Sequence, residues 1–257
     1  MIRKKYKALM LDLDGTTIPS SKDGRPSKKV IEAIEKAKRK LHVGVVTGRP
    51  YHVAEHIIAE LGLTGPSITT GGAEVRDAAT GAVLWSKKIS DETTKSILRL
   101  SKLKDLPILV IDNSYYKYQK LFDPKHLPKE TLQISIPDLS LSIVDHIIKD
   151  LNQFADIAVL KAGSWKSDNT VWLSVTHGEA TKQHGILEVA EILGINTHEI
   201  IGVGDGDNDF PLLMACGLRV AMGNAVESLK DIADYIAPPV FEDGVVDVIN
   251  KFVLSSE

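Results

Sequence analysis

The sequence has little that would direct it to a membrane or to a disulfide-bonded fold. Its 257 residues include one cysteine, Cys216, which lies in an apolar stretch and is expected to be a buried, inert thiol. The apolar run after the basic N-terminal residues covers only Ala8–Leu11, which is too short for a signal peptide or a membrane-spanning helix. We therefore expect a soluble, cytoplasmic protein.

Neither sign of charge dominates the chain. Its 31 lysine and arginine residues face 34 aspartate and glutamate residues, which gives a formal net charge of -3, and there is no long basic run. We therefore expect neither a nucleic acid nor an anionic membrane surface as a partner. Hydrophobic residues at 43% and charged residues at 25% are ordinary globular values and indicate neither disorder nor a fibrous class.

Short apolar runs alternate with amphipathic segments in the first and last parts of the chain. Apolar positions at helical spacing separate runs that are short enough to be buried strands. This alternation is typical of an α/β fold, a Rossmann-like, doubly wound parallel sheet. The expected strands lie at 8–11, 43–46, 200–203 and 218–221, and the expected helices at 27–41, 51–61, 182–193, 209–216 and 244–253.

The pattern changes in the middle of the chain. Extended pieces around the turn Thr80-Gly81 predict an antiparallel hairpin that leads away from the sheet. Beyond it, two helical segments, 91–103 and 142–154, are mixed with four short strands. We therefore predict a core of residues 1–86 and 176–257 and an inserted α+β cap domain of residues 87–175.

Three of the predicted strands end in polar clusters, and parallel strands place their carboxyl ends along one edge of a sheet. The clusters are Asp12–Thr16, Thr47–Arg49 and Asp205–Asp209. Converging carboxylates raise one another's pKa unless a cation holds them together, and a hard divalent ion such as Mg²⁺ suits oxygen ligands. The sequence therefore predicts a magnesium site formed by Asp12, Asp14, Asp205 and Asp209.

With a metal in place, the remaining residues fit a site for phosphoryl transfer. Asp12 is the candidate nucleophile, and Asp14, on the same side of an extended chain, is the candidate general acid and base. Thr47 offers a hydroxyl and is followed by main-chain amides that can hold a phosphate. Lys182, at the head of a predicted helix, can supply positive charge.

Four motifs, taken in order, resemble those of the haloacid dehalogenase superfamily. They are Asp12-Leu13-Asp14-Gly15-Thr16, Val46-Thr47-Gly48-Arg49, Lys182 with Gly185, and Gly204-Asp205-Gly206-Asp207-Asn208-Asp209. The resemblance spans the chain and implies a Rossmann-like core, a cap and an aspartyl-phosphate mechanism. The insert between the second and third motifs is in the position used by Cof-type hydrolases.

The resemblance also implies roles for single residues. Asp12 and Asp14 would be catalytic, with Asp12, Asp14 through its carbonyl, Asp205 and Asp209 around the metal. The residues implied to bind the substrate are Thr47, Gly48, Arg49, Lys182 and Asn208.

Two departures from the Cof-type pattern affect the expected substrate more than the chemistry. Gly71 stands where that branch often has asparagine, and Gln183-His184 separate Lys182 from Gly185. A lone histidine is more often structural or solvated than functional, so we leave His177 and His184 outside the site. The insert's aromatic residues are expected to pack a small core, with sugar stacking as the alternative; they are Tyr115, Tyr116, Tyr118, Trp165 and Trp172.

Single motifs also permit other functions. A calcium loop starting at Asp12 fails because its twelfth position is Asp23 and not glutamate. The glycines at 202, 204 and 206 could suggest a dinucleotide site, but the acidic residues among them would repel a pyrophosphate. The sequence therefore predicts a Mg²⁺-dependent phosphatase for a small phosphorylated metabolite such as a sugar phosphate. A phosphomutase or phosphotransferase and a non-catalytic phosphometabolite-binding protein are the alternatives.

Overall fold

A computed structural model describes residues 6–21, 23–112, 116–119, 130–164, 167 and 169–255 of the chain. Its centre is a five-stranded parallel sheet with the strand order β13-β12-β11-β1-β2. No helix in the described ranges is long and apolar enough to cross a lipid bilayer. The strands of this sheet are β1 Ala8–Leu11, β2 His42–Val45, β11 Ile200–Gly204, β12 Leu218–Met222 and β13 Tyr235–Ala237.

Helices cover both faces of the parallel sheet. Strand β1 shows why, because Leu9 and Leu11 point into one hydrophobic cluster while Ala8 and Met10 point into another. Apolar residues on both faces are what a fully buried parallel strand requires. The helices of this layer are α1 Lys28–Ala37, α2 Tyr51–Glu60, α5 Lys182–Leu193, α6 Phe210–Ala215, α7 Glu227–Lys230 and α8 Gly244–Ile249.

The middle of the chain forms a second, antiparallel sheet with the order β7-β6-β8-β10-β9. Its helices, α3 Asp91–Leu103 and α4 Leu141–Leu151, pack on one face over a separate hydrophobic cluster. We call this unit the cap. Its strands are β6 Ile108–Ile111, β7 Tyr116–Gln119, β8 Gln133–Ser140, β9 Ile157–Gly163 and β10 Thr170–His177.

A small three-stranded antiparallel sheet joins the two larger units in sequence. It consists of β3 Pro66–Thr69, β4 Glu74–Asp77 and β5 Val83–Ser86. The 3-10 turn Thr70–Gly72 connects β3 to β4, and an isolated bridge between Val46 and Ile68 connects β3 to the end of the parallel sheet. The predicted hairpin around Thr80-Gly81 is therefore present as β4 and β5. The turn Thr70–Gly72 lies beside the carboxyl end of β2, since the Gly71 N–H donates to the Thr47 carbonyl.

The predicted α/β fold with an inserted cap is confirmed, although several element ends differ. The first helix ends at Ala37, four residues early, because the turn 38–40 leads directly into β2. The last helix ends at Ile249 and continues as the π-helical turn Asn250–Leu254. Edge strand β13 is not predicted from the sequence, since three residues are too few for a clear pattern. Tyr115, Trp165 and the side chains of Tyr116 and Tyr118 lie outside the described residues.

Candidate active site

The polar clusters predicted at the strand ends lie along the carboxyl edge of the parallel sheet. Asp12 follows β1, Thr47 lies just beyond β2, and Asp205 follows β11. The three strands are neighbours in the order β11-β1-β2, so their end loops surround one crevice. The main-chain N–H of Asp12 donates to the carbonyl of Val203 at 2.9 Å, which fixes the start of the first loop against β11.

Lys182 lies at the centre of the crevice and is only 1% exposed. Its Nζ donates to Oδ1 of Asp12 at 2.6 Å and to Oδ1 of Asp209 at 2.5 Å. Burial disfavours the ammonium, but the charges and hydrogen bonds of the two carboxylates outweigh that cost and raise the pKa of Lys182. Lys182 therefore stays charged and links the loop of Asp12, after β1, to the loop of Asp209, after β11.

Asp209 uses its other oxygen to shape the Asp205 loop. Its Oδ2 accepts hydrogen bonds from the main-chain N–H groups of Asp205 and Gly206, both at 2.9 Å. Both oxygens of Asp209 are thus engaged inside the protein. This arrangement suits a residue that orients a metal-binding loop better than one that contributes a free ligand atom.

Three carboxylates come close enough together to share a cation. Asp12, Asp205 and Asp209 each offer an oxygen, and these atoms lie within 4.8 Å of one another. Burial raises the pKa of Asp205 to about 7, with a further rise from Asp209. Burial also raises the pKa of Asp12 well above its ordinary range, and the charge of Asp209 adds to that rise. A divalent cation fits this cluster because it would relieve charge that the single lysine leaves uncompensated.

The side chain of Asp205 is oriented by its neighbours. The Thr16 hydroxyl donates to its Oδ1 at 2.7 Å. Gly15 passes so close that a Cβ built on it would lie 2.2 Å from Oδ2 of Asp205, and its φ of +83° is in the left-handed region. Only glycine permits this approach without strain. The Asn224 amide donates to the Gly15 carbonyl at 2.8 Å and holds the loop in place.

Asp14 lies apart from the three clustered carboxylates, in the company of Arg49. The guanidinium donates to both of its carboxylate oxygens and also to the carbonyl of Ser21 at 3.2 Å. The structure therefore brings Arg49, predicted to bind substrate, against the predicted general acid. The main chain of Asp14 remains in the loop between Asp12 and Gly15, where a carbonyl ligand was predicted.

Thr47 is buried and is held through its main chain and its side chain. Its N–H donates to the Ile68 carbonyl at 2.9 Å, and its hydroxyl accepts from the Arg49 N–H at 3.0 Å. A Cβ on Gly48 would meet no heavy atom within 4 Å, so this glycine borders open space. Asn208, on the turn Asp207–Asp209, is half-buried with its amide oxygen over Gly206.

The cap sheet faces the core across the crevice. Strand β10 lies against the turn Thr70–Gly72, and strand β9 lies against the turn Asp207–Asp209. Both turns contact the start of helix α5, since Gly72 packs on the main chain at Thr181 and Asp209 accepts a hydrogen bond from the Lys182 ammonium. The helix-free face of the cap sheet is therefore the roof of the crevice.

Four uncharged polar side chains form a two-by-two patch on this roof, which we call the polar patch. Ser135 pairs with Ser174 across strands β8 and β10, and Gln133 pairs with Thr176. Apolar residues of the two neighbouring strands flank the patch. On β6, Leu109 and Ile111 lie beside Ser135 and Gln133, and on β9, Leu160 and Ala158 lie beside Ser174 and Thr176. A Cβ on Gly71 would lie 3.2 Å from the Ser174 hydroxyl, so Gly71 packs directly beneath the patch.

The residues kept out of the predicted site make local contacts. The Nδ1 atom of His177 accepts from the Glu179 N–H at 3.0 Å, and Nδ1 of His184 lies 3.0 Å from the Thr181 hydroxyl. The Trp172 indole donates to Asp138 within the cap at 3.2 Å. Thr16 and Asn224, by contrast, were missed as site residues, although Thr16 is the last residue of the first of the four motifs.

Comparisons with known proteins agree with this geometry. Residues 9–249 match the family model of haloacid dehalogenase-like hydrolases. The chain is 26% identical over 266 residues to a 5-amino-6-(5-phospho-D-ribitylamino)uracil phosphatase of Bacillus subtilis, covering 95% of this chain and 96% of the relative. It is 27% identical over 251 residues to a phosphoglycolate phosphatase of Methanopyrus kandleri, with coverage of 95% and 96%.

Solved structures share the fold over almost the whole chain. A haloacid dehalogenase-like hydrolase from B. subtilis superposes with a TM-score of 0.85 at 21% identity, covering 95% of this chain and 99% of that one. A sugar phosphatase of subclass IIB superposes with a TM-score of 0.80 at 24% identity, with coverage of 96% and 98%. At these identities the likeness establishes the common architecture.

Proposed function

The chain belongs to the haloacid dehalogenase-like hydrolases, and on that premise we propose that it transfers the phosphoryl group of a small phosphomonoester to Asp12 and then to water. The buried ion pairing of Lys182 with Asp12 and Asp209 carries this proposal. A fixed ammonium next to a carboxylate nucleophile supplies positive charge where phosphoryl oxygens must lie.

The reaction consists of two displacements at phosphorus. In the first, an oxygen of Asp12 attacks in line, the bond between phosphorus and the leaving oxygen breaks, and Asp14 gives its proton to that oxygen. In the second, Asp14 removes a proton from water, the water oxygen bonds to phosphorus, and the bond to Asp12 breaks. Inorganic phosphate leaves, and Asp14 is again protonated.

Arg49 must change partner for Asp14 to act as an acid. Its two hydrogen bonds occupy both carboxylate oxygens of Asp14, so Asp14 cannot reach the leaving oxygen while this pair is intact. We infer that an incoming phosphate draws the guanidinium away from Asp14 and receives its hydrogen bonds instead. Thr47 and the amide that follows it, at Gly48, would bind the same phosphate from the open side of the crevice.

Asp12 and Asp205 would contribute side-chain oxygens to a divalent cation, Asp14 its carbonyl, and Asp209 the hydrogen bonds that orient the Asp205 loop. Mg²⁺ is the ion we propose, because it prefers oxygen ligands and commonly keeps waters beside bound phosphate. When bound, it would neutralise charge that develops on the phosphoryl oxygens. The raised pKa values of Asp12 and Asp205 support this assignment.

The polar patch favours a leaving group that carries hydroxyls. Gln133 and Thr176 are 3% and 1% exposed, and Oε1 of Gln133 and Oγ1 of Thr176 have no hydrogen-bond partner within the described ranges. Buried oxygens of this kind are costly unless they are paired. Sugar or polyol hydroxyls can donate to the Gln133 oxygen and can exchange a hydrogen bond with the Thr176 hydroxyl in either direction. The carboxylate of a leaving group such as glycolate can accept from the Thr176 hydroxyl but would face the Gln133 oxygen, another acceptor, with no cation among the four side chains of the patch.

Release of phosphate from an aryl phosphate by the purified chain tests the proposal. We expect hydrolysis that depends on added Mg²⁺ and is lost in Asp12→Asn, since an amide cannot act as the nucleophile. Absence of hydrolysis in the wild type, or full activity in Asp12→Asn, would contradict it. With a sugar phosphate as substrate, formation of phosphorylated product isomers instead of inorganic phosphate would indicate a mutase.

A further inference from the structure

Glu74 is a buried carboxylate outside the crevice. It begins strand β4 and is 1% exposed. Its Oε1 accepts two hydrogen bonds from the Arg76 guanidinium, the shorter at 2.7 Å. Its Oε2 accepts from the hydroxyls of Thr70 at 3.0 Å and Thr69 at 3.3 Å. Glu74 therefore ties the loop between β3 and β4 to the strand that follows it.

Thr70 has a backbone conformation that its residue type disfavours. Its φ is +55°, in the left-handed region, and the side chain is fully buried. A β-branched residue rarely adopts this conformation unless the surrounding structure enforces it. The next two residues of the loop, Gly71 and Gly72, also have positive φ but pay no such steric cost. The hydroxyl bond to Glu74 is the side-chain contact that holds Thr70 in place.

The loop that Thr70 starts supports both sides of the proposed phosphate site. The Thr70 N–H donates to the Arg49 carbonyl at 2.9 Å, and the Gly71 N–H donates to the Thr47 carbonyl at 3.1 Å. Gly72 packs tightly on the start of helix α5, since a Cβ built on Gly72 would lie 2.6 Å from the main-chain nitrogen of Lys182. One short loop thus sets the position of the second motif relative to the lysine.

We propose that Glu74 is a positioning residue for phosphate binding: it holds Thr70 in the left-handed conformation, and Thr70 and Gly71 in turn place Thr47 and Arg49 opposite Lys182. The proposal rests on the assignment of these three residues to phosphate binding. Without Glu74, Thr70 relaxes toward an extended backbone, and both of the loop's N–H bonds to the second motif are lost.

A paired substitution tests this inference, with inorganic phosphate as the probe of the site. In Glu74→Ala we expect the inhibition constant for inorganic phosphate and the KM for an aryl phosphate to rise about tenfold or more, because small displacements of the groups that position a phosphate strongly weaken its binding. Glycine adopts positive φ without an anchor. Thr70→Gly combined with Glu74→Ala should therefore recover most of the lost affinity, to within about threefold of Thr70→Gly alone.

Val75→Ala is the matched control. Val75 is the next residue on β4, and its buried side chain packs in the hydrophobic core on the opposite face of the strand from Glu74. It should lower Tm without changing the inhibition constant. If Glu74→Ala does not fold, Glu74→Gln with and without Thr70→Gly replaces it, since the amide keeps the shape but not both acceptor oxygens.

The possible failures are distinguishable. If the wild type neither hydrolyses the aryl phosphate nor is inhibited by inorganic phosphate, the proposed function fails. If the wild type does both, but the Glu74 variants only have a lower Tm and an unchanged inhibition constant for inorganic phosphate, Glu74 has a structural role alone. Failure of Thr70→Gly to restore affinity would also overturn the inference, because the effect would then not act through the Thr70 backbone.

Discussion

Arg49 holds the carboxylate of Asp14 with both prongs of its guanidinium. Nε lies 2.8 Å from Oδ2, and Nη2 lies 2.5 Å from Oδ1. The Arg49 side chain is 6% exposed and that of Asp14 is 23% exposed, so the pair is at the border between the buried cluster and the open crevice. The proposed proton donor and the proposed phosphate-binding loop are thereby linked before substrate arrives.

Substitution of Arg49 by lysine tests this link. Lysine keeps the charge but cannot form the two-pronged contact with either a carboxylate or a phosphate. We expect kcat/KM for an aryl phosphate to fall about tenfold or more, mostly through KM, with little change in Tm. Arg25→Lys is the control, because Arg25 pairs with Glu60 on the exposed surface. Equal kinetics for both variants would argue against a role for Arg49 in phosphate binding.

The raised pKa of Asp205 predicts how metal-free stability depends on pH. Folding raises this pKa from 3.8 to about 7, so the folded state binds more protons than the unfolded state between these values. Stability without metal therefore falls as pH rises through this window, and Mg²⁺ should stabilise most above it. By differential scanning calorimetry we expect Mg²⁺ to raise Tm by about 5 °C at pH 8 and by clearly less at pH 5.5.

Asp205→Asn is the control for that measurement. The amide carries no charge, so both the pH dependence of Tm and the effect of Mg²⁺ should be reduced. An equal Mg²⁺ effect at both pH values in the wild type would show that the carboxylate cluster does not bind the ion.

Substitution of Gly15 by alanine should weaken metal binding. The new Cβ would lie 2.2 Å from Oδ2 of Asp205 and must displace it. We expect the Mg²⁺ concentration for half-maximal activity to rise at least about tenfold, since Oδ2 of Asp205 is moved away from the proposed metal site. Gly194→Ala is matched for backbone strain, with φ +63° and no heavy atom within 4 Å of its Cβ. If the two variants need the same Mg²⁺ concentration, the close approach of Gly15 has no role in metal binding.

The polar patch predicts substrate selectivity. Thr176→Val and Gln133→Leu remove hydroxyl partners of the leaving group, so kcat/KM for a sugar phosphate should fall about tenfold in each, while that for an aryl phosphate changes less than about twofold. Thr176→Val also removes an unpaired buried oxygen and should leave Tm unchanged or higher. Gln133→Leu removes an unpaired oxygen too, but it also breaks the hydrogen bond that Nε2 of Gln133 donates to the Ser174 hydroxyl at 2.6 Å, so its Tm should be lower than that of Thr176→Val. Thr94→Val is the control, because Thr94 also has a buried, unpaired hydroxyl but lies on helix α3. Parallel losses on both substrates would contradict the assignment.

The gathering of polar residues at the strand ends was predictable because it depends on the order of the strands along the chain. Asp12, Thr47 and Asp205 each follow a short apolar run, and a parallel sheet brings such ends together whatever the intervening sequence. Lys182 was assigned to the site in the same way, because it lies third in the order of the four motifs. Its ammonium contacts both Asp12 and Asp209 because of the way the folded chain packs. The spacing of these residues along the chain does not predict that contact.

Contacts that depend on backbone detail were not predictable. Asn224 reaches the Gly15 carbonyl because β12 lies two strands from β1, and the sequence does not specify that order. Thr70 adopts a left-handed conformation as well as the two glycines that follow it, and residue propensity predicts positive φ only for the glycines. Glu74 has the position of an ordinary polar residue in a hairpin strand, and only its burial distinguishes it.

Chemical trapping of the intermediate tests the central claim most directly. In Asp14→Asn, attack on an aryl phosphate can still proceed because an aryl leaving group needs little help from an acid, but hydrolysis of the aspartyl-phosphate should be slow. Borohydride reduces an acyl phosphate to an alcohol and converts the phosphorylated aspartate to homoserine. Peptide mass spectrometry should then find homoserine at Asp12 only when substrate and Mg²⁺ are present. Homoserine at another position, or none while phosphate is still released, would contradict phosphoryl transfer to Asp12.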